Sequence, residues 1–329
     1  MARETIILTR QEIASQIDVV DTIDAIEQAM ATFEKGEDYL PPKTILEIPV
    51  GEPAWAACIT GYTKAAKLLS MKLGHERTHN QQRQLPTTNS WIAAFDPITG
   101  ELLMICDGML PTMYRTAAAA AVGARHLSRT DSTVLSVIGV GQLGRQCVRA
   151  ANAVRPFKRI LLHDRFSEAA ETVAKDLTKL LPATIEVTSA EDACRRADVI
   201  VTATNSREPI IMADWIRAGT HLSCMGSDMD EKIECAASLL PRCRIFADKL
   251  DHALLRGEVS QAIKSGILKD DCYVGSLGQV IDGSVTGRRD DAEVTLFDGV
   301  GIGIQDTTIV RSIYDQAVKL GLGLRVAFS

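Results

Sequence analysis

The sequence has few aromatic residues, no excess of basic residues and no long hydrophobic run. Aromatic residues make up 5% of its 329 residues, and 42 acidic against 36 basic side chains give a net charge of -6. Because stacking aromatics and a basic face are both missing, we expect neither nucleic acid nor an anionic membrane surface as a partner. No apolar run approaches the roughly 20 residues that span a bilayer, and the charged N-terminal segment lacks the apolar core of a signal peptide.

The eight cysteines form no pattern that is typical of a metal site or a redox pair. No two of them are spaced as C-x-x-C, and none clusters with histidine at metal-ligand spacing. We therefore expect no bound metal, reduced thiols and a cytoplasmic protein.

The hydrophobic pattern changes about one third of the way along the chain. Apolar residues at helical spacing predict a helix over 19–35, and short apolar runs between residues 44 and 106 predict a mostly antiparallel sheet. One of these runs, 66–71, is a predicted strand that contains Lys67. From residue 133 strands and helices alternate, which is typical of a parallel sheet covered on both faces. The sequence thus predicts an α/β fold, with a doubly wound Rossmann sheet following an N-terminal α+β domain.

Residues 134–144 read VLSVIGVGQLG, a buried strand that runs directly into a glycine-rich turn. The spacing G-x-G-x-x-G is that of a dinucleotide-binding loop. Its glycines allow a tight turn, close approach of the backbone to the pyrophosphate and close packing of helix on strand. The helix that follows presents free N–H groups to the phosphates. The predicted cofactor contacts in this loop are Gly139, Val140, Gly141, Gln142, Leu143 and Gly144.

Asp164 ends the next predicted strand, at the distance from the loop where a ribose-binding carboxylate is expected. Such a carboxylate accepts hydrogen bonds from the ribose hydroxyls and repels a 2′-phosphate, so it favours NAD over NADP. The adjacent Arg165 is also a predicted cofactor contact. It leaves NADP as an alternative cofactor, because an arginine at this position accommodates the 2′-phosphate. Two alternatives to a dinucleotide site are a chance glycine turn and an S-adenosylmethionine fold. The end of a later strand supplies the remaining predicted contacts: Thr202, Ala203, Thr204 and Asn205.

Three polar side chains are candidates for the reaction itself. Lys67 lies among apolar residues, where burial lowers the pKa of a lysine and lets it act as an acid or base; the alternative is a lysine that snorkels at a strand edge. Arg115 begins a small-residue helix, where it either clamps a carboxylate or lies on the surface. Asp228 follows a strand of the nucleotide domain, and the alternative there is an ordinary turn aspartate. The residues alone leave these alternatives open.

The chain resembles the ornithine cyclodeaminase/μ-crystallin family over nearly all of its length. Besides the glycine loop, the segments AAKLLS, DPITGELL, MYRTAAAAAVGARHL, GSDMDEKIE and VTLFDGVGIGIQD match in order. The resemblance implies a substrate-binding and dimerisation domain over 1–128, completed by 307–329, and an NAD-binding domain over 129–306. It also implies a homodimer in which the N-terminal sheets of two subunits form a closed barrel.

The resemblance assigns roles to four residues. It makes Lys67 the substrate-binding lysine, Asp228 the acidic residue that serves proton transfer in cyclodeaminases, Arg115 the arginine that binds the substrate carboxylate, and Thr116 a residue near the cofactor phosphates. In the leading hypothesis below, Lys67 and Asp228 are the catalytic pair that handles protons.

Two positions depart from the family pattern. Lys43 stands where family members usually have an arginine that binds the substrate carboxylate, and an ammonium group pairs with a carboxylate without a bidentate fork. Residues 297–299, Phe-Asp-Gly, stand where the family usually has Phe-Lys-Ser at the rim of the pocket. Both departures argue against an ornithine-like substrate.

The leading hypothesis is an NAD(H)-dependent oxidoreductase that interconverts an α-imino acid, or a 2-oxo acid plus ammonia, with an α-amino acid. The predicted loop 74–83 is unusually basic, with His75, Arg77, His79 and Arg83. It is either a solvated loop or a site for a second anionic group, as in reduction of iminosuccinate to aspartate; the other product considered is alanine. One alternative is an ornithine or lysine cyclodeaminase that uses NAD catalytically, and another is a non-catalytic, crystallin-like ligand-binding protein.

Overall fold

The structure, a computed structural model, describes residues 4–51, 54–227, 229 and 231–328, with the side chains of residues 78 and 81 left out. The chain divides into two compact units, Met1–Arg115 with Ile302–Ser329, and Thr116–Gly301. The borders expected from the sequence, after residues 128 and 306, lie further along the chain than the two observed borders.

The regular elements follow in chain order. The first part of the chain contains β1 (Thr5–Leu8), α1 (Arg10–Ala14), α2 (Val19–Phe33), β2 (Thr44–Glu47), β3 (Ala54–Thr63), β4 (Leu68–Arg77), β5 (Thr88–Phe95), β6 (Leu102–Asp107) and α3 (Met109–Leu127). The middle part contains β7 (Val134–Ile138), α4 (Gln142–Val154), β8 (Arg159–His163), α5 (Ser167–Thr178), β9 (Thr184–Val187), α6 (Ala190–Arg196), β10 (Val199–Thr202), β11 (His221–Cys224), β12 (Cys243–Ala247), α7 (Leu250–Arg256), α8 (Ser260–Lys264), β13 (Tyr273–Ser276), α9 (Leu277–Ile281) and β14 (Val294–Asp298). The chain ends with α10 (Gly303–Leu320) and β15 (Leu324–Val326).

The first unit is built on a sheet with the strand order β15-β1-β6-β5-β4-β3-β2. Neighbouring strands are antiparallel except for β1 and β6, which are parallel. The helices α2 and α10 pack against each other, and α10 also covers β3 and β4. The mostly antiparallel sheet predicted from the apolar runs is confirmed.

Strand β4 has an unusual distribution of polar and apolar side chains. Ser70 and Lys72 are buried, whereas Met71 and Leu73 are exposed by 38% and 58%. Side chains alternate between the two faces of a strand, so here the polar residues face the covering helix and the apolar residues face outward. The buried positions are tolerated because α10 supplies hydrogen-bonding partners for both polar side chains.

Two helices begin earlier than the sequence predicts, because the alanine-rich segment predicts a helix over 114–127 and the last segment predicts one over about 307–320. Helix α3 starts at Met109 rather than 114, because Pro111 is compatible with a first helical turn and the carboxylate of Asp107 accepts a hydrogen bond from the backbone of Leu110 at 3.1 Å. Helix α10 starts at Gly303 rather than 307, although its first residues look like part of a glycine-rich loop in the sequence.

The second unit contains a sheet with the order β13-β12-β14-β11-β10-β7-β8-β9, in which every neighbouring pair is parallel. The chain runs outward from β7 through β8 to β9, and then returns to place β10 on the other side of β7. The direction of winding therefore changes between β7 and β10, which is the point where ligands bind in open α/β sheets. The predicted doubly wound parallel sheet is confirmed.

Within the part of the chain that the structure describes, none of the helices has both the length and the hydropathy needed to cross a bilayer. Within the same part, we find no group of three or more His, Cys, Asp or Glu side chains arranged to hold a metal ion.

Candidate functional site

The glycine loop lies at the carboxyl end of β7, between this strand and α4. Gly139 has a φ of +85°, a conformation that favours glycine. Gly141 precedes the helix, and a Cβ added to it would meet no atom within 4 Å, so its backbone is open to close approach. Gly144 differs, because a Cβ there would collide with the carbonyl oxygen of Gly139. The three glycines thus have the separate roles of turn, open approach and helix packing that a dinucleotide loop requires.

Asp164 follows β8 and is half-buried beside the loop. One of its carboxylate oxygens accepts a hydrogen bond from the backbone of Val140 at 3.0 Å, and the other accepts one from Phe166 at 3.0 Å. Each oxygen keeps a further lone pair, so the carboxylate can also accept ribose hydroxyls. Arg165 is exposed, and its guanidinium lies 4.8 Å from the centre of the Phe166 ring. As the residue that follows Asp164, Arg165 lies at the same end of the strand.

The residues predicted at the end of β10 lie next to the glycine loop. Ala203 donates its backbone N–H to the carbonyl of Ile138 at 2.9 Å, and a Cβ on Gly139 would lie 2.7 Å from the side chain of Thr204. The structure therefore brings the loop 139–144 and the segment 202–205 together at the change of winding.

Glu234 organises this edge of the sheet, although no motif in the sequence marks it as a site residue. Its buried carboxylate accepts hydrogen bonds from the hydroxyls of Thr202 and Thr204, and from the backbone of Thr204 and Gly226, at 2.5–2.9 Å. Burial raises the pKa of Glu234 above its usual range, against the effect of these hydrogen bonds. The carboxylate fixes the segment after β10 to the segment after β11.

The prediction that Lys67 lies in a strand among apolar side chains is wrong. Lys67 is exposed and has a φ of +47° in the turn between β3 and β4, where its backbone N–H bonds to the carbonyl of Lys64. The sequence of this turn, KAAK, contains no glycine, proline or asparagine to mark it. The buried lysine of the strand is Lys72.

Lys72 takes part in a buried cluster of charged residues within the first unit. Its ammonium nitrogen lies 2.9 Å from Oδ1 and 2.8 Å from Oδ2 of Asp306, and 3.3 Å from the hydroxyl of Thr112. Arg115 donates from Nε to Oδ1 of Asp306 at 3.1 Å, and from Nη1 to the amide oxygen of Gln305 at 3.1 Å. Two cations therefore share one carboxylate, and all three ionic residues are at most 6% exposed.

The electrostatics of this cluster favour a neutral lysine at moderately alkaline pH. Burial lowers the pKa of Lys72 to about 8, and the charges of Arg115 and Lys43 act in the same direction against that of Asp306. Burial alone would raise the pKa of Asp306, but the charges of Arg115 and Lys72 outweigh it and hold this pKa below its usual value. The cluster thus pairs a lasting carboxylate with a lysine that gains or loses a proton readily.

Close backbone contact between β3 and α10 places Asp306 in the cluster. A Cβ on Gly61 would lie 2.5 Å from the carbonyl carbon of Gly303, and a Cβ on Gly303 would collide with the carbonyl of Thr60. The hydroxyl of Thr307 also bonds to the carbonyl of Gly61 at 2.9 Å and lies 2.7 Å from that of Ser70. The start of α10 therefore lies directly on the sheet. Neither Gln305 nor Asp306 was selected from the sequence, although a buried lysine and arginine require a carboxylate nearby.

Two of the remaining predicted site residues, Lys43 and Thr116, lie among the described residues. Lys43 is half-buried just before β2, and its charge acts on Lys72. Thr116 is buried in α3 directly after Arg115. Asp228 lies outside the described residues, so its role stays a prediction.

The basic segment 74–83 is not a single loop. Residues 74–77 continue β4, and Thr78–Arg83 form a 3-10 helix. His75 and Arg77 alternate with Lys72 along the strand and therefore point to the opposite face of the sheet, where the His75 ring lies 5.6 Å from that of Trp91. These two side chains lend no support to a second anionic group bound beside Lys72.

Asp298 lies inside the second unit rather than at the rim of a pocket. It is fully buried at the end of β14, where Tyr273 donates to it at 2.6 Å and the backbone of Glu258 at 3.0 Å. Burial raises the pKa of Asp298 to about 7. The expectation that this position lines the rim is therefore wrong for Asp298.

The parallel sheet with its glycine loop, and the separate unit with its buried lysine and arginine, define a two-domain dinucleotide-binding protein. The model of the ornithine cyclodeaminase/mu-crystallin family matches residues 3–321. The chain belongs to this family.

Two relatives and one solved structure are similar to this protein over nearly the whole chain. An alanine dehydrogenase of Archaeoglobus fulgidus is 31% identical, over 99% of this chain and 99% of that protein. An iminosuccinate reductase of Paracoccus denitrificans is 32% identical, over 98% of this chain and 99% of that protein. The solved structure of an archaeal alanine dehydrogenase dimer with bound NAD superimposes with a TM-score of 0.95 at 29% identity, covering 99% of this chain and 100% of that one.

Proposed function

We propose that this protein interconverts an α-imino acid, or a 2-oxo acid plus ammonia, with an α-amino acid, and that it uses NAD(H). The observation that carries the proposal is the buried cluster in which Lys72 and Arg115 share the single carboxylate of Asp306. With Lys72 protonated, two positive charges face one negative charge, and a substrate carboxylate supplies the missing anion. The lowered pKa of Lys72, about 8, suits proton transfer to and from a substrate nitrogen.

The second unit suits a dinucleotide. The open backbone at Gly141 would face the pyrophosphate, the start of α4 would offer its N–H groups, and Asp164 would accept the ribose hydroxyls. When bound, NAD(H) accepts or supplies a hydride. A carboxylate at position 164 favours NAD over NADP, and the relatives with this overall structure include one solved with NAD.

We assign the following chemical roles. Arg115 binds the substrate carboxylate, and its orientation is held by Asp306 and Gln305. Lys72, rather than Lys67, donates or accepts the proton. Lys43 adds positive charge for the carboxylate, and Asp228 is the second proton-handling group suggested by the family resemblance.

We propose a small monocarboxylic substrate, with alanine ahead of aspartate. A dicarboxylic substrate needs a further cationic partner beyond those that hold its first carboxylate. Two of the four basic residues of segment 74–83, His75 and Arg77, lie on the sheet face away from Lys72. The similar proteins named above act on alanine in one case and on iminosuccinate in the other, so the fold accommodates either kind of substrate.

The test is NADH consumption by the purified protein with pyruvate plus ammonium, oxaloacetate plus ammonium and a five-membered cyclic imino acid. The reverse reaction uses L-alanine, L-aspartate and L-ornithine with NAD. We expect the fastest NADH loss with pyruvate. An absence of NADH turnover with every substrate would refute the proposal, and consumption of ornithine without accumulation of NADH would favour a cyclodeaminase.

We also propose that the protein is a homodimer. The uncovered face of the first sheet carries exposed Leu46, Leu73 and Trp91, with exposures of 64%, 58% and 52%. Strand register places Leu73 directly opposite Trp91, so their side chains form a continuous apolar surface, which is typical of an interface. A second copy of the same face would cover it, and the archaeal alanine dehydrogenase structure is a dimer.

A cytoplasmic location is part of the same proposal. All eight cysteines are free, and a reducing compartment keeps thiols in this form.

A further inference from the structure

Gln305 is a fully buried amide at the edge of the charged cluster. It lies in the first turn of α10, directly before Asp306, and its exposure is 0%. Its amide oxygen accepts a hydrogen bond from Nη1 of Arg115 at 3.1 Å. Gln305 therefore contacts the guanidinium that we assign to the substrate carboxylate.

The orientation of this amide follows from chemistry. A guanidinium only donates hydrogen bonds, so the oxygen of Gln305 must face Arg115 and the NH2 group must face away. Among the described residues, the buried Nε2 of Gln305 has no hydrogen-bond partner. A buried amide that leaves both of its donors unpaired is costly, and such groups are rare in folded proteins.

We propose that Gln305 is a second hydrogen-bond donor for the substrate carboxylate, beside Arg115. The amide nitrogen and oxygen share one carbon, so the NH2 group lies within a few ångström of the guanidinium. The two groups can therefore donate to the two oxygens of one carboxylate. The inference rests on the proposed function, because the ligand is the carboxylate of an amino, imino or 2-oxo acid.

Two other roles for Gln305 have different consequences. In the first, its oxygen only holds Arg115 in place, and the NH2 group bonds to an ordered water. In the second, position 305 influences the ligand only through the charge that a substitution introduces. A matched pair of ligands separates these roles: pyruvate, which carries a carboxylate, and pyruvamide, in which a neutral amide with N–H donors replaces it.

The key variant is Gln305→Glu, which keeps an oxygen for Arg115 and replaces the NH2 donor by an acceptor. Binding of each ligand to the enzyme–NADH complex is measured through NADH fluorescence, so the measurement needs no turnover. We expect the Kd of pyruvate to rise by at least about tenfold and that of pyruvamide to fall, with the Kd of NADH unchanged. The control is Gln316→Glu, the same change at an exposed position of the same helix. This variant should leave the Kd of both ligands unchanged.

The other outcomes overturn the inference. Unchanged Kd values for both ligands would mean that Gln305 only supports Arg115. A higher Kd for pyruvate with an unchanged Kd for pyruvamide would mean that only the introduced charge affects binding. Equal weakening of both would indicate a disturbed site, and a wild-type complex that binds no pyruvate would also refute the inference. If Gln305→Glu does not fold, Gln305→Met must raise the Kd of pyruvate by about tenfold, and an unchanged Kd overturns the inference.

The outcome is independent of the test of the proposed function. A wild-type complex that binds pyruvate through Gln305 but never consumes NADH would refute the proposed reaction and leave the carboxylate site intact.

Discussion

The ammonium group of Lys72 lies 2.8 Å from the carboxylate of Asp306, although the two residues are 234 positions apart in the chain. Lys72 comes from a strand and Asp306 from the first turn of the last long helix. Their contact ties the end of the chain to the N-terminal sheet and creates the buried charge cluster on which the proposed chemistry depends.

Removing the shared carboxylate should destabilise the protein strongly. In Asp306→Asn, the buried Lys72 and Arg115 lose their anion, and breaking a buried ion pair from one side costs about 3–5 kcal/mol. We expect a decrease of this size in the free energy of unfolding in urea, measured at a fixed protein concentration. Asp315→Asn is the control, because Asp315 is exposed and pairs with Arg311 on the same helix, so its loss should cost less than about 0.5 kcal/mol. Equal stability of the two variants would contradict the account.

The rate of amino acid oxidation should depend on the protonation of Lys72. The pKa of Lys72 is lowered to about 8, and only the neutral amine can accept a proton from the substrate. The value of kcat/KM for L-alanine oxidation should therefore be low below pH 7 and rise through an apparent pKa of about 8. Lys72→Arg should lose this inflection, because a guanidinium stays protonated. An identical profile for wild type and Lys72→Arg would show that another group controls the rate.

Two glycines of the nucleotide loop should respond differently to alanine. In Gly141→Ala the added methyl group meets no protein atom, so thermal stability should be retained while the Kd of NADH rises by at least about tenfold. In Gly144→Ala the methyl group collides with the backbone of Gly139, so both the melting temperature and NADH binding should suffer. Unimpaired NADH binding by Gly141→Ala would argue against pyrophosphate contact at this loop.

The exposed apolar face of the N-terminal sheet should hold two copies together. Light scattering after size-exclusion chromatography should give twice the chain mass of 35.7 kDa. Leu73→Glu places a charge in this face and should yield monomers, because burial of an unpaired carboxylate opposes association. Leu180→Glu changes a leucine that is 66% exposed in the second unit and should leave the mass unchanged. A monomeric wild-type protein would contradict the proposed dimer.

The nucleotide-binding unit could be predicted closely from the sequence. The sequence predicts strands over 133–139 and 159–163 and helices over 142–155 and 190–196. Strand β8 and helix α6 have these bounds, and β7 and α4 differ from them by at most one residue at each end. Local rules suffice here, since a buried strand, a glycine loop and an amphipathic helix follow each other directly. The partner of that loop, the segment 202–205, was found because parallel strands bring their carboxyl ends to one edge.

The charged cluster could not be predicted in the same way. Hydrophobic alternation predicts that Met71 and Leu73 face the core and that Lys72 faces outward. In the structure Met71 and Leu73 are exposed, whereas Lys72 faces α10, which provides the carboxylate of Asp306. That carboxylate is distant in sequence. The glycines before it are typical of a loop, so the sequence does not indicate that a helix starts there. The sequence places Lys67 in a strand because the turn that contains it has no glycine, proline or asparagine to mark it as a turn.

The most direct test of the account compares Lys72→Met with Lys67→Met in NADH oxidation under the best substrate found for the wild type. Lys67 lies exposed in a turn, so Lys67→Met should retain the wild-type kcat/KM within about twofold, whereas loss of the proton-transferring group in Lys72→Met should lower it by about 100-fold or more. Both variants should bind NADH as the wild type does. Full activity of Lys72→Met, or loss of activity in Lys67→Met alone, would contradict the assignment of the reaction to the Lys72 cluster.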